Sequence, residues 1–148
     1  MAFATAYPGP DGCAVDAEGR LWVAHWGASR VVCYATHGAA PGAVAVEVHV
    51  PKATRVSSCA FGGPGLRDLL ITTAFEGLSP DITAEERAAL GEDYAGDIFV
   101  VRDIGVAGDG SEEAWQSLIP EMAYAAWYES LTHSFFIWPL VRHINPRD

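Results

Sequence analysis

The sequence predicts an all-β fold, a partial β-propeller of about two four-stranded blades, and three observations lead to that prediction. First, Cys13-Ala14-Val15 aligns without a gap with Cys59-Ala60-Phe61, an offset of 59 − 13 = 46 residues. Propeller blades recur at about 40–50 residues. Second, short runs rich in Val, Ile and aromatic residues are bounded by Gly and Pro, which favours strands. Third, these runs follow one another in the same order in both copies.

The first copy contains four predicted strands. Its first strand leads into the turn Ala17-Glu18-Gly19, and Leu21–His25 follows as the second strand. The third strand is Ser29–Tyr34. Val44–Val50 alternates between apolar and polar positions and completes the blade.

The second copy repeats this order after the turn Gly62–Gly65, with strands at Leu69–Thr73 and Gly96–Val101. An extra segment, Phe75–Ala95, separates these two strands. Within it Thr83-Ala84-Glu85-Glu86 has the spacing of a capping box, and good helix formers continue to Gly91. We therefore expect a helix of one to two turns on a loop that either shapes a site or is a solvated surface excursion.

Composition restricts the partners. The chain has 148 residues, is 50% hydrophobic and carries a formal net charge of −10, so nucleic acid and anionic membranes are not expected partners. Eleven of its 19 acidic residues lie between Glu76 and Glu113, which indicates a calcium-binding surface or, preferably, a solvated loop. The three cysteines form no CxxC pair, and the start Met1–Ala6 does not resemble a signal peptide. Buried, reduced thiols and a cytoplasmic location are expected.

Several polar residues have structural interpretations. Asp16 is expected to cap the amides of the turn that follows it. His25 shares a strand face with Leu21 and Val23 and is expected to be a satisfied core or edge histidine. Arg30 is interpreted as a surface ion-pair partner in preference to a binding group for an acid. By the period of the repeat, Asp11 would direct its carboxylate towards the central axis, where a propeller enzyme holds its metal.

Four runs of this sequence, taken together, resemble the senescence marker protein/gluconolactonase family of regucalcin-like lactonases. They begin at Pro10-Asp11-Gly12, at Val15, at Phe61-Gly62-Gly63 and at Ala95, the last ending at Val101. The resemblance covers roughly residues 3–108 and is to the last third of a family member. It implies a six-bladed propeller that binds one divalent metal (calcium, zinc or magnesium) in its channel. It also implies that the substrate is a sugar lactone, which the enzyme hydrolyses.

The resemblance implies that Asp11 is a metal ligand and the general base. The other family ligands, a Glu and an Asn, lie far before this motif, and only ten residues precede Asp11 here. Ser57 aligns with Asp11 (11 + 46 = 57), so it either contacts a substrate hydroxyl or bonds to nearby backbone. We therefore expect a truncated lactonase that is weak or inactive. The alternative is a non-catalytic propeller fragment or interaction module.

Residues 111–148 depart from the family and carry many aromatic side chains. Acidic residues interrupt the apolar run, so no stretch reaches the ~18–20 residues that span a bilayer. A helix over Glu112–Tyr128 is expected to break or restart at Pro120. The segment either packs over an open blade edge, binds a partner, or is a run-on end, the interpretation we favour. Two blades alone would leave apolar outer faces, which predicts self-association.

Overall fold

The computed structural model of the chain describes residues 8–75 and 81–110 in full, and the backbone pairing of residues 141–144. The described part is all-β, with two four-stranded sheets in the orders β1-β2-β3-β4 and β5-β6-β7-β8. Among the described strands, the two sheets do not close into a ring. This confirms the predicted partial propeller.

The first sheet is antiparallel throughout and matches the strands predicted for the first copy. Each strand pairs with the next one along the chain, as expected where short turns join them. The strands are β1 (Gly9–Val15), β2 (Leu21–Trp26), β3 (Arg30–Tyr34) and β4 (Val44–His49).

The second sheet has the same first three strands and a different fourth one. Strands β5 (Val56–Gly62), β6 (Asp68–Thr73) and β7 (Ile98–Val101) are antiparallel, with a short 3-10 helix at Pro64–Leu66. Strand β8 (Val141–Ile144) pairs with β7 in parallel. A tight hairpin cannot produce a parallel pair, so this strand reaches the sheet by a long connection. Strand β8 was not predicted from the sequence, and the helix expected at 112–128 lies outside the described residues.

The predicted helix on the loop is present as α1 (Ala84–Ala89), and its capping box is confirmed. The Thr83 hydroxyl accepts from the Glu86 amide at 3.2 Å, and the Glu86 carboxylate accepts from the Thr83 amide at 2.9 Å. The chain leaves the helix at Gly91, whose φ of 69° suits glycine. These bonds satisfy amides that the first helical turn leaves without partners.

The core lies between the two sheets. The ring of Trp22 meets Phe61 edge to face, with centroids 5.7 Å apart and planes at 87°. The Cys59 thiol donates to the backbone carbonyl oxygen of Trp22 at 3.5 Å. Both sheets contribute alternate side chains to this layer, which also contains Ala14, Ala24, Val31, Cys33, Val48, Leu69, Ile71, Phe99 and Val101. The two sheets therefore pack through faces that are not equivalent in the repeat: Ala14 faces inward in the first sheet, whereas Cys59, the equivalent of its neighbour Cys13, faces inward in the second.

This packing corrects the prediction that all three thiols are buried. Cys33 and Cys59 are buried, but Cys13 is exposed. Cys13 and Cys59 hold equivalent positions, yet Cys59 faces the first sheet whereas Cys13 faces away from the second. Burial raises the pKa of the Cys33 thiol to about 11, so it remains protonated and unreactive at neutral pH.

The outer face of the first sheet also differs from the prediction, because its apolar centre is not bare. Val23 and Val32 pair with each other there and are only 6% and 1% exposed. The register places Tyr34 and His25 on the same face, on either side of that pair. The Tyr34 hydroxyl and His25 Nε2 are 3.0 Å apart, so the two side chains bridge across the valines. His25 is thus a satisfied histidine, as expected.

Hydrogen bonds to Asp16 link the first turn to the core. Its buried carboxylate accepts from the amides of Glu18 and Arg20 at 2.9 and 3.0 Å, which confirms the predicted turn-capping role. It also accepts from Arg20 Nε and from Trp22 Nε1, both at 2.8 Å. Burial alone would raise the pKa of Asp16. The hydrogen bonds from Trp22 and Arg20 outweigh this effect and hold the pKa below its ordinary value.

The first strands of the two sheets, β1 and β5, are in contact, and Gly12 lies close against Ser58. A Cβ atom placed on Gly12 would lie 2.2 Å from Ser58 Oγ and 2.6 Å from Ser58 Cβ. Only glycine fits at this point without a shift of one strand. In a closed propeller the first strand of each blade lies nearest the axis, so this contact corresponds to the hub of such a ring.

We expect Asp16→Asn to lower the free energy of unfolding by about 2–4 kcal/mol, because the buried indole N–H of Trp22 and the partly buried donors of Arg20 lose their charged acceptor. Urea unfolding followed by circular dichroism measures this loss. The pKa of Asp16 is lowered in the folded state, so its stabilisation is present above the unfolded-state pKa and disappears as the pH falls further. The difference between the two proteins should therefore shrink below about pH 4.

Asp103→Asn is the matched control, because Asp103 forms an exposed ion pair with Arg67 at 2.7 Å. Surface pairs of this kind contribute little to stability. Equal losses for the two variants, or a D16N effect that does not change with pH, would contradict the role assigned to Asp16.

We expect Gly12→Ala to cost about 1–3 kcal/mol of folding free energy, because the new methyl group overlaps Ser58 and forces β1 and β5 apart. The double variant G12A/S58G should recover part of the loss. Recovery is partial because Ser58 Cα would still lie 2.8 Å from the new atom. Chemical denaturation of the three proteins measures this, and a neutral G12A would show that the two strands do not meet here.

Candidate functional site

Asp11 and Ser57 both lie in β-bulges at equivalent places of the two first strands. The register of β1 against β2 shifts between Pro10 and Cys13, and that of β5 against β6 shifts between Val56 and Ser58. A bulge turns a side chain away from the direction that the regular pleat would give it, and bulges are common next to functional sites. The two candidates lie beside Gly12 and Ser58, where the strands meet.

The two bulges differ in what holds their side chains. Ser57 Oγ lies 3.2 Å from the Thr72 carbonyl oxygen and 3.0 Å from the Thr72 hydroxyl. Asp11 is exposed and has no hydrogen bond or ion pair with any residue that the structure describes. By the repeat, Ala24 occupies in the first sheet the position of Thr72 in the second, so no hydroxyl stands opposite Asp11. Its carboxylate is available to a ligand.

The helical loop leaves the second sheet at the end where Ser57 lies, because the last residue of β6, Thr73, pairs with Val56. Buried Glu92 anchors this loop to the connection between the sheets. Its carboxylate accepts from the Thr54 amide at 3.0 Å and from Arg55 Nη1 at 3.1 Å. The loop therefore has a fixed base at this end of the sheets.

The described residues do not by themselves fit a metal ion. Among residues 8–75 and 81–110, no group of three or more His, Cys, Asp or Glu side chains is placed to hold one. Ca²⁺ takes about six to eight oxygen ligands and Mg²⁺ about six, and Asp11 supplies one carboxylate. This donor set is too small to hold either ion.

The acidic segment has mainly structural contacts where it is described. Glu86 caps α1, Glu92 is the loop anchor, and Asp93 pairs with Lys52 at 3.4 Å.

Arg30 of the first sheet forms an ion pair with Glu47 at 3.4 Å, as the preferred interpretation expected.

Two residues at this end, Thr72 and Glu92, were not identified by the sequence analysis. The repeat gave one indication of Thr72, because this threonine stands where the first copy has Ala24. Nothing in the sequence pattern distinguished Glu92 from the other acidic residues of its loop.

Within the described ranges, no helix has the length and apolar character needed to cross a membrane.

Comparisons with known proteins identify the family of the chain. Residues 1–75 match the family described as "SMP-30/Gluconolactonase/LRE-like region". Regucalcin of Danio rerio is 36% identical over 99 residues, which cover 67% of this chain and 30% of that protein. L-arabinolactonase of Azospirillum brasilense is 39% identical over 93 residues, covering 63% and 27% of the two chains.

A solved structure of a luciferin-regenerating enzyme is 33% identical and superposes with a TM-score of 0.50, covering 67% of this chain and 29% of that one. The chain thus spans about 30% of the length of the regucalcins it matches. The family match covers half of the chain, and the motifs, the two sheets and the relatives all agree with it. The chain belongs to the SMP-30/gluconolactonase/LRE-like family.

Proposed function

We propose that this chain provides the Asp11 part of a sugar-lactone hydrolase site. The observation that carries the proposal is the position of Asp11, an exposed carboxylate in a bulge at the hub with no partner among the described residues. A carboxylate in that state is free to take a proton from a water molecule. The lactonase among the relatives supports a lactone as the substrate class.

The chemistry assigned to Asp11 is general-base catalysis. As the oxygen of a water molecule attacks the lactone carbonyl carbon, Asp11 takes the proton that this oxygen loses. The bond between the carbonyl carbon and the ring oxygen then breaks. The ring oxygen leaves as a hydroxyl group by taking the proton that Asp11 received from the water. Asp11 returns to its carboxylate form, and the product is an open-chain hydroxy acid.

A divalent metal (calcium, zinc or magnesium) belongs to the proposal through the family resemblance. When bound, it would polarise the lactone carbonyl. Asp11 would be one of its ligands, and further ligands must come from outside the described residues. Ser57 is proposed as a contact for a substrate hydroxyl. Three free cysteines are consistent with the reducing, cytoplasmic setting that we propose.

The second candidate is a non-catalytic fragment or interaction module of the same fold. It is favoured by the small donor set at Asp11 among the residues that the structure describes. Under this hypothesis the chain hydrolyses no lactone, its melting temperature does not respond to millimolar Ca²⁺, and light scattering shows association that rises with concentration.

We expect the chain to hydrolyse an aldonolactone slowly, and we expect EDTA to remove that turnover. Asp11→Asn should lower kcat by about 10²–10⁴-fold, because the amide cannot accept the proton. A pH-stat assay with and without EDTA, corrected for spontaneous hydrolysis, measures both effects.

Asp103→Asn is again the control, since Asp103 follows β7 at the opposite end of the second sheet and pairs there with Arg67. It should retain the parent rate. Absence of turnover that is sensitive to EDTA, or equal rates for D11N and the parent, would reject the lactonase proposal and favour the non-catalytic module.

A further inference from the structure

We propose that Thr72 is a positioning residue that fixes the Ser57 hydroxyl as a hydrogen-bond acceptor for a hydroxyl group of the substrate. This inference rests on the proposed function and adds to it a residue and a direction for the hydrogen bond. Thr72 belongs to β6 and lies opposite the bulge of β5 that contains Ser57.

The direction follows from counting protons. A serine hydroxyl has one proton to donate and can accept two hydrogen bonds. Ser57 Oγ is within 3.2 Å of the Thr72 carbonyl oxygen, which can only accept, and within 3.0 Å of the Thr72 hydroxyl. Both bonds form together only if Ser57 donates to the carbonyl and the Thr72 hydroxyl donates to Ser57. One accepting position on Ser57 Oγ then remains, and no proton is left to donate.

The two equivalent bulges therefore present the same kind of group. Asp11 offers a carboxylate, and Ser57, held in this way, offers a hydroxyl oxygen that only accepts. Groups that only accept bind ligands rich in donors, such as the hydroxyls of a neutral sugar lactone. They give no hydrogen bond to the carboxylate of the hydrolysed product. Thr72 thus contributes to recognition of the substrate through Ser57 and does not touch the reacting atoms.

The test is a mutant series on the full chain with a neutral aldonolactone as substrate. Ser57→Ala and Thr72→Val should each raise KM by about 3- to 10-fold, as expected for loss of one neutral hydrogen bond, with kcat within about twofold of the parent. Thr72→Ser restores the hydroxyl and should restore KM. Since Thr72 acts through Ser57, S57A/T72V should be no worse than S57A alone. Thr36→Val is the control, because that hydroxyl bonds to the Gly19 carbonyl in a distant turn.

The outcomes separate this inference from the proposed function. If the parent is active but T72V leaves KM unchanged, or if S57A and T72V add in the double variant, the positioning role is overturned and the lactonase proposal stands. If T72V lowers kcat and T72S does not recover it, the residue has another role and the inference also falls. If the parent neither hydrolyses the lactone nor shifts its NMR resonances on titration with it, both proposals fail together.

Discussion

The packing of Trp22 between the two sheets is the contact on which the rest of the structure depends. Its indole N–H donates to buried Asp16, its ring meets Phe61 of the second sheet, and its carbonyl oxygen accepts from Cys59. One residue thereby joins the turn of the first sheet to the face of the second. Two isolated four-stranded sheets would each leave an apolar face in water, and this layer removes both faces from solvent.

The same packing brings the first strands of the two sheets together. Strand β5 contacts β1, β2 and β3 of the first sheet, and it meets β1 at Gly12 and Ser58. The bulges next to this meeting point then bring Asp11 and Ser57 to the same end of the two sheets. The site is thus a consequence of the repeat. The two copies supply different side chains at equivalent positions, one a carboxylate and the other a hydroxyl.

Much of this arrangement could be predicted from the sequence because it is local or periodic. The 46-residue offset aligned the first strands, and short runs rich in Val and Ile between Gly and Pro residues indicated the others. The capping box placed α1, and the position of Asp16 before a turn indicated its bonds to the turn amides. The offset also aligned Ser57 of the second copy with Asp11 of the first. These features need only the spacing of residues along the chain.

Other features could not be predicted because they depend on which distant group lies opposite. The repeat makes Cys13 and Cys59 equivalent, but it does not show that only Cys59 is buried between the two sheets. The bridge of Tyr34 and His25 over two valines requires the cross-strand register, and the parallel strand β8 requires a long-range pairing. The role of Glu92 depends on its contact with Thr54 in the connection between the sheets, and the sequence does not show that contact.

The most direct test of the central claim, that the two sheets form one cooperative unit joined through Trp22, is a double-mutant cycle between Trp22→Leu and Phe61→Leu. Urea unfolding, followed by circular dichroism and by hydrogen exchange of amides in β2 and β6, gives the four free energies. We expect one coincident transition and a coupling of about 0.5–1.5 kcal/mol between the two rings. Additive losses, together with separate transitions for the two sheets, would contradict the account.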